Sequence, residues 1–186
     1  LSYIGKRALG ALEFEPDLKK ESTTEEIDLK ELSELSNLIT ETNLLPTSIT
    51  KSVFKELFMV GTSAGGARPK AVVSINFKKR QIVHATGHLE GFTPILLKFD
   101  KPINESTTES SGVGKIEYVY HKMALLAGIE MTTCGLFKLD TMSHFYTYRF
   151  DRSSEGEKLH SQTLAAVANL NPTHLHDHDE VFEAML

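Results

Sequence analysis

Only one cysteine, Cys134, occurs in the 186 residues. A single thiol excludes an intrachain disulfide framework and fits a reducing, cytoplasmic setting. There is no basic excess either: Lys plus Arg number 20 against 25 Asp plus Glu, a formal charge of −5 with His neutral. Proteins that hold nucleic acid through its phosphates carry a surplus of cations, so direct nucleic-acid binding finds no support here. Apolar runs such as Ile95 to Leu97 are short, far below the roughly 20 residues needed to cross a bilayer. No signal-peptide pattern opens the chain, and no internal repeat is visible. What is present suits a core: 40% of residues are apolar and 24% charged with both signs mixed. That length serves one ordinary domain or two small lobes, and wholesale disorder is not expected.

The chain opens at Leu1 without a methionine, and LSYIGKRALGALEFEP reads as a strand or hairpin already under way. EVFEAML at the other end reads as a helix still running. The expectation is therefore a fragment. PDLKKESTT, residues 16–24, is a polar linker. A helix is expected from Thr23 or Thr24, with Glu25 and Glu26 in its first turn and Ile27, Leu32, Leu35, Leu38 and Ile39 as its apolar stripe. Asn43 to Pro46 ends it, and a second short helix is expected over 49–59. After the Gly-rich stretch GTSAGGARPK come strands over 71–77, 81–84 and 93–99, then the long polar loop DKPINESTTESSGVG. Residues 115–127 predict a helix with Ile116, Val119, Tyr120, Met123, Leu126 and Ala127 on its apolar face, ended by Gly128. Strands over 131–139 and 144–150 follow, then the connector DRSSEGEK and helices near 161–168 and 179–186. An antiparallel sheet with one helix packed on it is an α+β lobe.

Gly61, Gly65 and Gly66 permit left-handed backbone, and successive N–H groups in such a turn can cradle phosphate oxygens. Arg68 and Lys70 bring two cations to the same turn, and Pro69 stiffens it. The segment leads into a strand, so neither the Walker A pattern nor the dinucleotide fingerprint fits. A Gly-rich loop between sheet elements is how a protein kinase covers the phosphates of ATP. On composition alone the same residues also suit a surface turn with two solvated cations. Lys98 sits in the apolar strand TPILLKFD, where a lysine needs a partner. Further on, Glu117 lies in the helix KIEYVYHKMA. Kinases pair a strand lysine with a helix glutamate, and the order here (Gly-rich loop, strand lysine, helix glutamate, strands, connector) is that of a kinase N-lobe.

GTSAGGARPKAVV, LLKFD, IEYVYHKMALLAGIEM, YRFDR and LHSQTLAAV, in this order, closely resemble the HipA-like toxin kinase family. GALEFEP resembles the end of that family's small N-terminal subdomain. The resemblance is collinear over nearly the whole chain. It implies three parts: the end of the N-terminal subdomain with a linking helix (1–45), a kinase-like N-lobe with Gly-rich loop and hinge (46–152), and the first helices of a C-lobe (153–186).

By the same resemblance, Gly65, Gly66, Ala67, Arg68, Pro69 and Lys70 form the ATP phosphate loop, and Lys98 contacts the α- and β-phosphates with Glu117 as its helix partner. Tyr148, Arg149 and Phe150 form the hinge, whose backbone reads the adenine edge, and Asp151 with Arg152 fixes the lobe junction or is a simple surface ion pair. Ser63 is either a turn residue or a site of autophosphorylation, where a phosphate would add about −1.5 to −2 charge and compete with those of ATP. The implied activity is ATP- and Mg²⁺-dependent phosphorylation of a serine on a translation-related protein, such as an aminoacyl-tRNA synthetase. The chain would be the toxin of a type II toxin–antitoxin pair, and its partner a helix-turn-helix antitoxin that carries the DNA contacts.

One departure matters. The family's N-x-D-x-H-x-x-N-like catalytic loop and the later Mg²⁺-holding Asp have no counterpart, so no catalytic residue or metal ligand is assigned. THLHDHDE, residues 173–180, has the composition of a metal site or catalytic loop but not its spacing, and reads as a polar loop. Cys134, in MTTCGLF, reads as a small core residue. The alternative to a kinase is a non-catalytic module that binds nucleotide or antitoxin.

Overall fold

The computed structural model describes residues 8–16, 24–34, 68–85, 88–103, 109–171, 174, 176–183 and 185. Among the described residues, six strands form one antiparallel sheet: β1 (Thr24–Glu26), β2 (Lys70–Asn76), β3 (Gln81–Ala85), β4 (Thr93–Lys98), β5 (Cys134–Leu139) and β6 (Met142–Tyr148). Their order across the sheet is β1-β3-β2-β4-β6-β5. Among the described residues, besides a helical stretch over 29–34, α1 (Val113–Leu126) lies between β4 and β5, and α2 (Leu164–Val167) and α3 (His178–Glu183) come after β6. No helix among the described residues is long and apolar enough to cross a membrane. The α+β class expected from the sequence is what these elements form.

Register decides which side chains share a face. Ala71, Val73 and Ile75 of β2 lie opposite Leu97, Ile95 and Thr93 of β4, and Ile75 lies opposite Ile82. Apart from the half-buried Thr93, these residues and Phe99 belong to the main core, onto which Phe137, Tyr146 and Tyr148 pack. The β-branched side chains of β2 fit a pleated surface buried on both sides. The alternate positions carry the functional face, since Lys70 pairs with Lys98 and Val72 with Leu96. Two tight connections need left-handed backbone, at Arg80 (φ 55) between β2 and β3 and at Asp140 (φ 51) between β5 and β6.

Three expectations change. Residues 8–16 hold turns rather than a strand or hairpin. Thr24 to Glu26 is not a helix start; it pairs with Ala85 to Val83 as an edge strand, because the free edge of β3 offers backbone partners that a solvated first turn lacks. The helical stretch 29–34 begins after Asp28 instead, whose Oδ1 accepts the N–H groups of Lys30 (2.7 Å) and Glu31 (3.1 Å). Ile27 and Leu32 from this region are in the core. Leu35, Leu38, Ile39, the helix expected over 49–59 and the segment from Gly61 to Ala67 lie outside the described residues.

The third change concerns α1. Its expected apolar face is exposed, from Ile116 and Val119 to Leu126 at 89%. The helix docks through Gly114 and His121, both buried, with Glu117, Tyr118 and Ala124 half-buried between and after them. Gly114 permits this approach: a Cβ there would stand 1.9 Å from the Ser143 carbonyl oxygen.

Candidate functional site

β2 and β4 bring two lysines opposite one another, Lys70 and Lys98. Facing like charges repel across a ladder, so an anion is needed nearby. Lys70 is 5% exposed. Burial holds its ammonium below the ordinary lysine range, the charge of Lys98 adds to that, and Glu117 partly offsets both. The Pro69 carbonyl accepts the Phe99 N–H at 3.2 Å, so the pairing of β2 with β4 continues past the lysines.

Glu117 stands one turn into α1 and supplies the anion. Its Oε2 accepts from Lys98 Nζ at 2.6 Å and its Oε1 from Arg68 Nη1 at 2.8 Å. One carboxylate therefore joins the end of the Gly-rich segment to β4 and to the helix, through two charge-assisted bonds. Lys98 Nζ also lies 5.6 Å from the centroid of the Phe145 ring, its cross-strand neighbour on β6. The Lys98 side chain is 31% exposed, and the ion pair holds its ammonium at the edge of solvent.

One residue pair along the same face from Lys98 and Phe145 lie Leu96 and Thr147, which are directly opposed. They form part of a mainly apolar cavity of about 320 Å³, completed by Leu9, Gly10, Tyr148 to Asp151 and Ser161 to Thr163. Its volume falls in the range of small-molecule pockets. The expected hinge borders it. The Tyr148 N–H donates to the Thr133 carbonyl (2.8 Å) and the Arg149 N–H to that of Pro94 (3.1 Å). Among the described residues neither the Phe150 N–H nor the Arg149 carbonyl has a hydrogen bond. A larger groove of about 680 Å³ near Asp28, Arg80 and Phe137 adjoins the core face instead.

Asp151 is 4% exposed and far from a simple surface ion pair. It accepts from Arg149 Nε (2.8 Å) and Nη2 (2.5 Å), Arg152 Nη1 (3.0 Å) and the Gly10 N–H (2.7 Å). Burial opposes its ionisation, but the Arg149 and Gly10 hydrogen bonds and the two guanidinium charges together hold its carboxyl below the usual range. Arg152 also donates to the Ala8 and Gly10 carbonyls. The cluster ties residues 8–10 to the segment that leaves β6.

Asp100, unremarked in the sequence, is fully buried. Its Oδ2 accepts from Ser110 Oγ (2.5 Å) and the Ser143 N–H (3.2 Å), and its Oδ1 from Ser111 Oγ (2.8 Å) and the Lys101 N–H (3.0 Å). Burial works against the charge, yet these four bonds outweigh it and its carboxyl titrates below the ordinary value. Its own N–H donates to His144 Nδ1 at 3.0 Å. His144 is consequently neutral with the proton on Nε2, which faces Ser33 Oγ at 3.2 Å. The signal that could have found Asp100 was an acid directly after the lysine strand, with a Ser-Ser pair just before the next helix.

Gly65, Gly66, Ala67 and Ser63 lie outside the described residues. The half-buried Cys134 thiol is pushed up by burial, partly countered by Lys122, which opposes a nucleophilic role. His176 Nε2 donates to the Asn171 carbonyl (2.8 Å), while His178 and Asp179 begin α3. Among the described residues no three His, Cys, Asp or Glu side chains gather as a metal site.

Residues 62–186 match the HipA-like C-terminal domain. The chain belongs to the HipA-like family. The match spans Arg68, Lys70, Lys98, Glu117, the Tyr148–Asp151 segment and Asp100. HipA-like proteins are generally kinases. No curated protein matches the chain.

Proposed function

We propose that this chain is the ATP-binding lobe of a HipA-like serine/threonine protein kinase. The observation that carries it is the Glu117 carboxylate, which holds Lys98 and Arg68 together beside Lys70. Three cations held around one carboxylate suit a polyphosphate, and the apolar cavity next along the same face suits a purine ring. Lys98 would orient the α- and β-phosphates and neutralise part of their charge, and Arg68 and Lys70 would hold the outer phosphates. Glu117 would fix the Lys98 head group. Gly65, Gly66, Ala67 and Pro69 would supply loop backbone. Tyr148, Arg149 and Phe150 would form the hinge, with the Phe150 N–H and the Arg149 carbonyl as the donor and acceptor toward adenine, because the N–H groups of Tyr148 and Arg149 already serve the sheet.

The donor set does not fit Mg²⁺. The one carboxylate of the cluster, Glu117, already serves two cations, and Mg²⁺ requires free oxygen ligands. In this reading the metal travels with ATP and is held outside these residues. The N-lobe occupies 46–152, with the end of the N-terminal subdomain before it and the first C-lobe helices after it. A serine of a translation-related protein, an aminoacyl-tRNA synthetase among them, would be the acceptor. The whole protein would be a cytoplasmic toxin bound by a helix-turn-helix antitoxin, and Ser63 an autophosphorylation site that opposes ATP.

Calorimetric titration with ATP–Mg²⁺, beside a phosphoryl-transfer assay on the full-length gene product, tests this. Lys98→Ala should lose at least tenfold in affinity and nearly all transfer; undiminished transfer would refute the role of Lys98. A second reading, a non-catalytic nucleotide- or antitoxin-binding module, is favoured by the lack of an N-x-D-x-H-x-x-N-like segment in these residues. It requires ATP binding without transfer by the full-length product.

A further inference from the structure

We propose that Asp100 is a positioning residue that sets the Lys98–Glu117 pair, acting through Ser110, Ser111 and Ser143. The functional weight of this pair rests on the nucleotide reading above; its geometry does not. Lys98 ends β4 and Asp100 follows two residues later, already fully buried. Glu117 sits four residues into α1, so the placement of the helix start governs where its carboxylate falls; four residues rise only about 6 Å along the axis. Asp100 grips both ends of this arrangement. Ser110 and Ser111, which donate to its two oxygens, stand directly before Gly112, the cap of α1. Ser110 Oγ also accepts the Gly112 N–H at 3.0 Å.

The same carboxylate accepts the Ser143 N–H, and the Ser143 carbonyl is the group against which Gly114 packs. One side chain thus fixes the end of the lysine strand, the start of the glutamate helix and the edge of β6 that the helix touches. Backbone bonds close the loop beneath it, from the Ser111 N–H to the Lys101 carbonyl (2.8 Å) and from the Ile103 N–H to that of Glu109 (2.9 Å). None of these contacts reaches the cation cluster directly, so Asp100 acts by placement. A buried carboxylate with four donors supplies directional constraints that an apolar contact at this junction would lack.

The test is lysine acetylation of the chain, read residue by residue by mass spectrometry. In Asp100→Asn and in Ser110→Ala/Ser111→Ala, Lys98 should be acetylated several-fold faster, approaching its rate in Glu117→Gln. Lys158, which pairs with Glu13 at 2.8 Å, should keep its wild-type rate and reports general loosening. An unchanged Lys98 rate in the folded variants overturns the proposal. So does an unchanged rate in Glu117→Gln, because the pair would then not exist in solution. If Asp100→Asn does not fold, Ser111→Ala alone, one hydrogen bond lighter, decides. ATP titration of the wild type and Lys98→Ala runs in parallel. Failure there removes the nucleotide reading and leaves the acetylation result standing.

Discussion

Lys98 Nζ and Glu117 Oε2 lie 2.6 Å apart, joining the last residue of β4 to the second turn of α1. The pair is partly exposed, and such pairs contribute about 0–1 kcal/mol to folding. Glu117→Gln keeps the shape and removes the charge shared with Arg68. Its melting temperature should stay within about 4 °C of wild type, while ATP affinity falls about tenfold. A large stability loss with unchanged affinity would make the pair a structural bolt instead.

Asp151 is the reverse case. Arg149 and Arg152 converge on it with side chains 7% and 11% exposed. Asp151→Asn leaves two nearly buried guanidinium groups without their anion, a loss of about 3–5 kcal/mol. Urea denaturation should show it, and proteolysis should cut residues 8–16 sooner, because the one acceptor oxygen of Asn cannot serve all the donors that Asp151 serves, the Gly10 N–H among them. The folded carboxyl titrates below its ordinary 3.8. Its contribution is therefore complete above that value and is lost as pH falls through the folded pKa.

The strands were legible because their apolar residues recur at the spacing a pleated face requires; β2, β4 and β6 shift from expectation only by a residue or two at the ends. Thr24 to Glu26 carried no such pattern. It is a strand because β3 has a free edge, which no local window contains. The apolar stripe of α1 misled for a physical reason: this helix docks through a glycine and a histidine and presents a carboxylate to the cations, so its buried side is the less apolar one. Lys98 and Glu117 were readable from residue type and order. Asp100 was not, because its partners are serines whose setting resembles a linker until the loop closes on it.

His144 predicts a pH effect near neutrality. It is fully buried, and burial lowers its pKa from 6.5, with Asp100 partly opposing. The folded state resists the proton more than the unfolded chain does. Stability should be complete above about 6.5 and decline as pH drops below that toward the folded pKa. His144→Asn should flatten that limb in urea titrations from pH 7 to 5; a limb of unchanged slope would assign the effect to another group.

Lys70 predicts an alkaline effect. Its ammonium loses the proton below the ordinary 10.5, so one cation of the cluster disappears as the solution turns alkaline. ATP affinity should fall as pH rises toward 10.5, although the nucleotide phosphates are fully ionised throughout. Lys70→Met should bind more weakly at neutral pH and lose that dependence. The same alkaline fall in Lys70→Met would show that Lys70 is not the group responsible.

Gly114→Ala separates helix propensity from helix placement. Alanine favours an isolated helix by about 1 kcal/mol over glycine, so local preference alone predicts a more stable protein. The new Cβ, however, would stand 1.9 Å from the Ser143 carbonyl oxygen and 3.2 Å from the Phe145 nitrogen. Those are backbone atoms held in the β5–β6 ladder and cannot turn aside as a side chain could. The helix must lift, and overpacking of this kind costs about 1–3 kcal/mol. Lifting α1 carries Glu117 away from β4, so ATP affinity and stability should fall together, unlike in Glu117→Gln. Leu126→Ala is the control: at 89% exposure it should change stability by less than about 0.5 kcal/mol. If Gly114→Ala were as stable as wild type and bound ATP as tightly, the close seating of α1 on Ser143 would not exist in solution, and the route from Asp100 to Glu117 would lose its middle step.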